Sequence, residues 1–189
     1  MQFSRAMLLN YREYEPIATS AIPHSRDVGD SSAMTMTATS FRSSVASSAT
    51  RAVLVGGLIA GTLDAASAFC NYGRGMPLSI ASGLLGRAAL HGGAGTWALG
   101  LALHYLIACT AALVYYLASR KLPFLREYPF ICGLFFGIAV NLVMNLIVLP
   151  LSAIHATGPI ARAALDKGIL IHMFFIGLPI ALSVRRFAR

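Results

Sequence analysis

Charge is scarce in this chain, and from its four longest apolar runs it is almost missing. Asp, Glu, Lys and Arg make up 12% of the 189 residues, about half the ~25% of an ordinary globular protein. Acidic residues are the rarer kind, seven against fifteen basic ones, for a formal charge of +8. Such a balance can mark a nucleic-acid binder. Here the basic residues stand singly or in short groups, as at Arg51, Arg120–Lys121 and Arg185–Arg186, with no basic face interleaved with aromatics. Nucleic acid is therefore not an expected partner. Cysteine is equally thin. Cys70, Cys109 and Cys132 fall at depths that differ by roughly 10 Å or more, beyond the ~7 Å Cα separation a disulfide tolerates. Without His at ligand spacing they do not read as a metal site either. G-x-S-x-G, H-E-x-x-H, the P-loop and the dinucleotide fingerprint are all absent, so enzymatic chemistry is not expected and no cofactor is predicted. No internal repeat is visible, which weakens an inverted-repeat transporter reading.

What the chain has instead is apolar length. Ala52–Cys70, Ala98–Ala118, Phe130–Leu151 and Gly168–Val184 carry one formal charge between them, Asp64. Each run approaches or exceeds the ~20 residues that a helix rising ~1.5 Å per residue needs to cross a ~30 Å hydrocarbon core. The expected fold is all-α, a multi-pass four-helix bundle over residues 52–187 with the lipid bilayer as its main partner. With the N-terminus inside, eleven Lys and Arg lie on inner segments and only Arg74, Arg87, Arg162 and Lys167 outside. That bias predicts cytoplasmic N- and C-termini.

Residues 1–51 are different. Eleven of the twenty positions in Ser31–Thr50 are Ser or Thr, and such a segment buries too little apolar surface to offset its ordering entropy, so disorder is expected. Met34 and Met36 stand as alternative translation starts to Met1. Ala66-Ser67-Ala68 resembles a signal cleavage site, but Asp64 just before it and the length of the run speak against cleavage. Between the first two spans, Pro77 and Gly92–Gly93 frame a helix over Pro77–Leu90, too short to cross and suited to a re-entrant or interfacial position. Ile80, Leu84 and Ala88 form its apolar stripe. A second short helix is expected over Pro159–Asp166, and a kink at Pro179.

Helical spacing puts Gly57, Gly61 and Asp64 on one face of the first span, the two glycines forming a GxxxG pair that lets a neighbour approach closely. His104 shares a small-residue face with Gly100, Ala108 and Ala111. Gly133, Gly137, Asn141 and Asn145 form the third such face, and His172 lies on the fourth span. Asp64, His104 and Asn145 each fall about six or seven residues from the outer end of their span, roughly 10 Å deep, with His172 slightly shallower and Asn141 deeper. A mid-membrane carboxylate costs roughly 2.5–3.5 kcal/mol on insertion scales, so a partner or a purpose is expected, and Arg87 is the nearest counter-ion from outside. The candidate intramembrane polar site is thus Asp64, His104, Asn145 and His172. Interhelical hydrogen bonding alone would also account for these groups. Three functions remain open beside it: an ion or proton pathway, a haem or other redox cofactor held by His104 and His172, and a non-catalytic component, either a homo-oligomer or a partner subunit.

The strings Gly57–Asp64 (GLIAGTLD), Ser79–Ala89 (SIASGLLGRAA), Leu99–Ala108 (LGLALHYLIA) and Leu149–Ala153 (LPLSA) make residues 52–187 resemble small four-helix bacterial inner-membrane proteins without assigned activity. GLPIAL, running into Arg185–Arg186, continues the pattern. The resemblance implies location and architecture, and it supplies no catalytic residues.

Overall fold

The computed structural model describes residues 31–155 and 162–188. Residues 1–38 and 39–189 are separate compact units. The architecture below is that of the second unit; of the first, the structure describes only the helical stretch 31–38.

Among the described residues, four helices are long and apolar enough to cross a membrane. Helix α1 (Ser31–Tyr72) holds the first span. It covers Ser31–Arg51, for which disorder is expected; once a turn of helix exists, each added Ser or Thr costs only about half a kcal/mol against Ala. Helix α2 (Met76–Leu85) is short. Helix α3 (Ala94–Lys121) ends with Arg120 and Lys121 in its last turn, where cations complement the helix dipole. Pro123 then stops it, because the residue before a proline is driven out of the helical region. A single turn, α4 (Phe124–Glu127), leads to α5 (Pro129–Leu151). Helix α6 (Arg162–Phe187) closes the bundle. Of the expected helix over Pro159–Asp166, Pro159–Ala161 lie outside the described residues, and Arg162–Asp166 form the first turn of α6.

The outward faces are apolar: Leu58, Leu106, Phe135, Leu146 and Phe174 are all exposed. In each span at most 33% of the most apolar stretch is buried. A bundle with that surface is solvated by lipid, so its helices associate through close packing of small residues. The apolar core gathers toward the end where α1 enters and α3 and α6 finish, with Ala52, Ala112, Tyr115, Ile180 and Val184 almost inaccessible. Tyr115 donates its hydroxyl hydrogen to Leu125 O at 2.8 Å, and its ring meets Phe136 edge-on at 4.9 Å. Ser183 Oγ ties α6 to α1 by donating to Ala52 O at 2.9 Å.

The opposite end is tied differently. Trp97 packs against Phe69 and donates to Arg74 O at 3.0 Å, while Lys167 Nζ donates to Asn71 Oδ1. Helix α2 lies at this end. Pro77 sits against Gly100 of α3, where a Cβ would strike the Pro77 carbonyl. Further along, Gly83 O accepts from Ala153 N, just beyond α5, at 2.8 Å. The helix therefore reaches from α3 to the end of α5.

Two expectations about this segment are corrected. The helix ends at Leu85, short of Leu90, because Gly86 takes φ 81° and ψ −178°, a conformation open almost only to glycine; Arg87–His91 follow as a 3-10 turn. The buried side consists of Met76, Pro77, Ala81 and Ser82, whereas Leu84 and Ala88 of the expected stripe are exposed. Apart from Met76 that side consists of short side chains, and the Pro77–Gly100 contact brings its backbone directly against α3. Nothing lies within 4 Å of a Cβ built on Gly86, so Gly86→Ala is a purely conformational test. It is expected to cost about 1–3 kcal/mol, read as a lower melting temperature of the protein in detergent.

Candidate functional site

Helices α1 and α3 run antiparallel and very close. A Cβ on Gly57 would stand 2.7 Å from Cys109 Cα, and one on Gly61 would stand 2.9 Å from Tyr105 Cδ1 and 3.2 Å from Ala108 Cβ. The missing side chain at Gly61 also uncovers its carbonyl, and His104 Nε2 sits 2.9 Å from that oxygen. The carbonyl can only accept, so Nε2 carries the hydrogen. One turn above, Asp64 Oδ2 lies 3.9 Å from the same Nε2, the two side chains being 15% and 11% exposed. At that distance the contact is electrostatic and no hydrogen bond forms. Among the described residues the carboxylate has no hydrogen-bond partner, and Arg87 makes no ion pair with it. His104 is its titratable neighbour.

Helices α5 and α6 pack closer still. A Cβ on Gly177 would meet Gly133 O, and Gly137 N at 2.6 Å; one on Gly137 would reach Met173 Cα at 2.5 Å. Beside this contact lies the second polar group. Asn141, only 2% exposed, has Nδ2 3.3 Å from His172 Nδ1, and Asn145 Nδ2 donates to Asn141 O at 2.9 Å. His172 Nδ1 is also 2.9 Å from Gly168 O. With a proton on Nδ1 it donates to that carbonyl; without one it accepts from the Asn141 amide. The two bonds exclude each other. Asn141→Leu is expected to cost about 0.6–2 kcal/mol in detergent melting, and Asn145→Ala less, because Asn145 is only half-buried.

Both polar helices change winding here. Met144–Val148 in α5 and His172–Gly177 in α6 are π-helical, and each stretch runs up to a proline, Pro150 and Pro179. A proline lacks the N–H that would bond the carbonyl four residues back and its ring clashes there, so a wider turn relieves both. Asn145 and His172 sit on these turns. A 3.6-residue period finds Gly133 and Gly137, yet it misses Gly177. The face of α6 against α5 runs Gly168, His172, Gly177, with a step of five across the π turn.

The candidate residues thus fall into two groups, Asp64 with His104 between α1 and α3, and His172 with Asn141 and Asn145 between α5 and α6. Among the described residues no hydrogen bond or ion pair joins one group to the other. Nor do three or more His, Cys, Asp or Glu cluster there as a metal site would require. Comparison with protein-family models, with curated proteins and with solved structures gives no match.

Proposed function

We propose that this chain is a bacterial inner-membrane protein with cytoplasmic termini whose Asp64–His104 pair binds and releases a proton in the outer half of the bundle, as one step of ion or proton movement. The observation that carries the reading is the 3.9 Å approach of a carboxylate without a hydrogen bond to a histidine already held by Gly61 O. Such a pair holds one proton in either of two ways. It is an imidazolium beside a carboxylate, or a neutral imidazole beside a carboxylic acid, and the second form carries no charge into the low-dielectric interior. Gly61 O fixes the Nε2 hydrogen, so Nδ1 is the ring atom that exchanges. Asn145 and His172 complete the polar layer from the other helix pair, with His172 offering a second exchangeable position at Nδ1. The Lys and Arg distribution supports the orientation.

Proton flux into vesicles that contain the purified protein tests this reading. A parent protein that leaves the vesicles as tight as protein-free ones would remove it. A haem shared by His104 and His172 gains nothing from the packing, since His104 Nε2 already faces a carbonyl.

A further inference from the structure

The inner end of the bundle, far from the proposed proton site, carries a cavity of about 300 Å³ lined by Pro123, Arg126, Glu127, Arg185 and Ala188. That volume is at the lower end of small-ligand clefts. Its walls come from the α3–α5 connection and the last turn of α6. Two arginines and one glutamate line it, and Arg120, Lys121 and Arg186 stand nearby in sequence, so the local potential is positive.

Arg126 is the informative residue. Its Nη1 donates to Ala188 O at 2.9 Å, which orients the guanidinium against the end of α6. Its Nε is buried and has no hydrogen-bond partner. An unsatisfied buried donor is costly, more so on a charged group. The edge of an arginine that carries Nε–H offers two parallel N–H bonds, the geometry that matches two oxygens of a phosphate. Arg126 lines the cavity with this edge unsatisfied, while Nη1 is held by Ala188 O. Arg185 lines the same cavity as a second cation.

We infer that this cavity is a phosphate site occupied by the headgroup of an anionic phospholipid. The choice of lipid over a soluble phosphate follows from position. Arg126 and Arg185 lie where two membrane-spanning helices end, at the depth where lipid phosphates are densest, and basic pockets between helix ends take such headgroups.

The test uses the full chain in phosphatidylcholine micelles doped with phosphatidylglycerol, with bound lipid counted by native mass spectrometry. Phosphatidylglycerol is expected to stay bound in preference to phosphatidylcholine. Arg126→Gln and Arg185→Gln are each expected to weaken it about tenfold, the loss of one charge-assisted contact. Arg185 makes no hydrogen bond or ion pair among the described residues, so its variant tests the site even if Arg126→Gln loosens the end of α6. Lys121→Gln, at the same end but off the cavity wall, is expected to weaken binding far less than either arginine variant. Equal binding of the two lipids, unchanged binding in both arginine variants, or an equal loss in Lys121→Gln would overturn the inference. So would displacement by inorganic phosphate at matched concentration, which would reassign the site to a soluble anion.

Discussion

Gly177→Ala is expected to be among the most damaging single substitutions in this bundle, although it adds only one methyl group. That methyl would meet Gly133 O and Gly137 N of α5. These are backbone atoms, which no rotamer change can move aside, so α5 and α6 must separate along their length. Overfilling a packed core costs about 1–3 kcal/mol, and a rigid backbone contact puts this case at about 3 kcal/mol or above. For a chain of this size that is a melting temperature lower by roughly 6–12 °C. Gly95→Ala is the matched control. A Cβ there meets nothing within 4 Å, and a glycine replaced inside a helix gains a few tenths to one kcal/mol, so its melting temperature stays level or rises. If Gly177→Ala melts with the parent, the α5–α6 contact is looser than described above.

The second large effect is on proton exchange. Asp64→Asn is expected to bring flux down to the level of protein-free vesicles, because the amide keeps the shape of the side chain and cannot hold the proton. Infrared difference spectra taken across a pH step are expected to lose one carboxyl band in the same variant. Stability separates this outcome from a packing role. Removing the carboxylate leaves a histidine that stays bonded to Gly61 O and can shed any charge, so no unpaired charge need remain buried. Asp64→Leu is therefore expected to melt no lower than the parent while it too abolishes flux. If Asp64→Leu melts lower and flux is unaltered, the carboxylate serves packing alone and the proton reading fails.

The four spans were legible from apolar length, since a helix in lipid must satisfy its own backbone and needs about twenty apolar residues to do so. GxxxG spacing likewise pointed to Gly57–Gly61 and Gly133–Gly137 as places of close approach. Depth along each span is an expectation that rests only on counting residues. Which polar residues touch is a matter of which helices are neighbours, and depth carries no information on that. Asp64, His104, Asn145 and His172 therefore read as one layer, where the helix pairing sorts them into two groups. The π turns hid Gly177 in a different way, by shifting the phase of the α6 face by one residue. Pro150 and Pro179 were the available signals, each placed just after a turn that its missing N–H disturbs. The end of α2 at Leu85 turned on Gly86 adopting a positive φ, and other glycines in the same stretch gave no way to single it out.

The pairing of Asp64 with His104 has a consequence for how the chain is made. About 40 residues separate the two, which at roughly 5–20 residues per second is about 2–8 s of synthesis. During that interval α1 exists and the imidazole that will neighbour its carboxylate does not. A lone α1 released into lipid would carry the whole insertion cost of Asp64. Waiting at the insertion machinery until α3 emerges avoids it, and α2 with its turn is the slack that lets α3 fold back. The unit that enters the bilayer is then a hairpin of two helices, and a ribosome stalled before His104 leaves a span that is easily pulled back out.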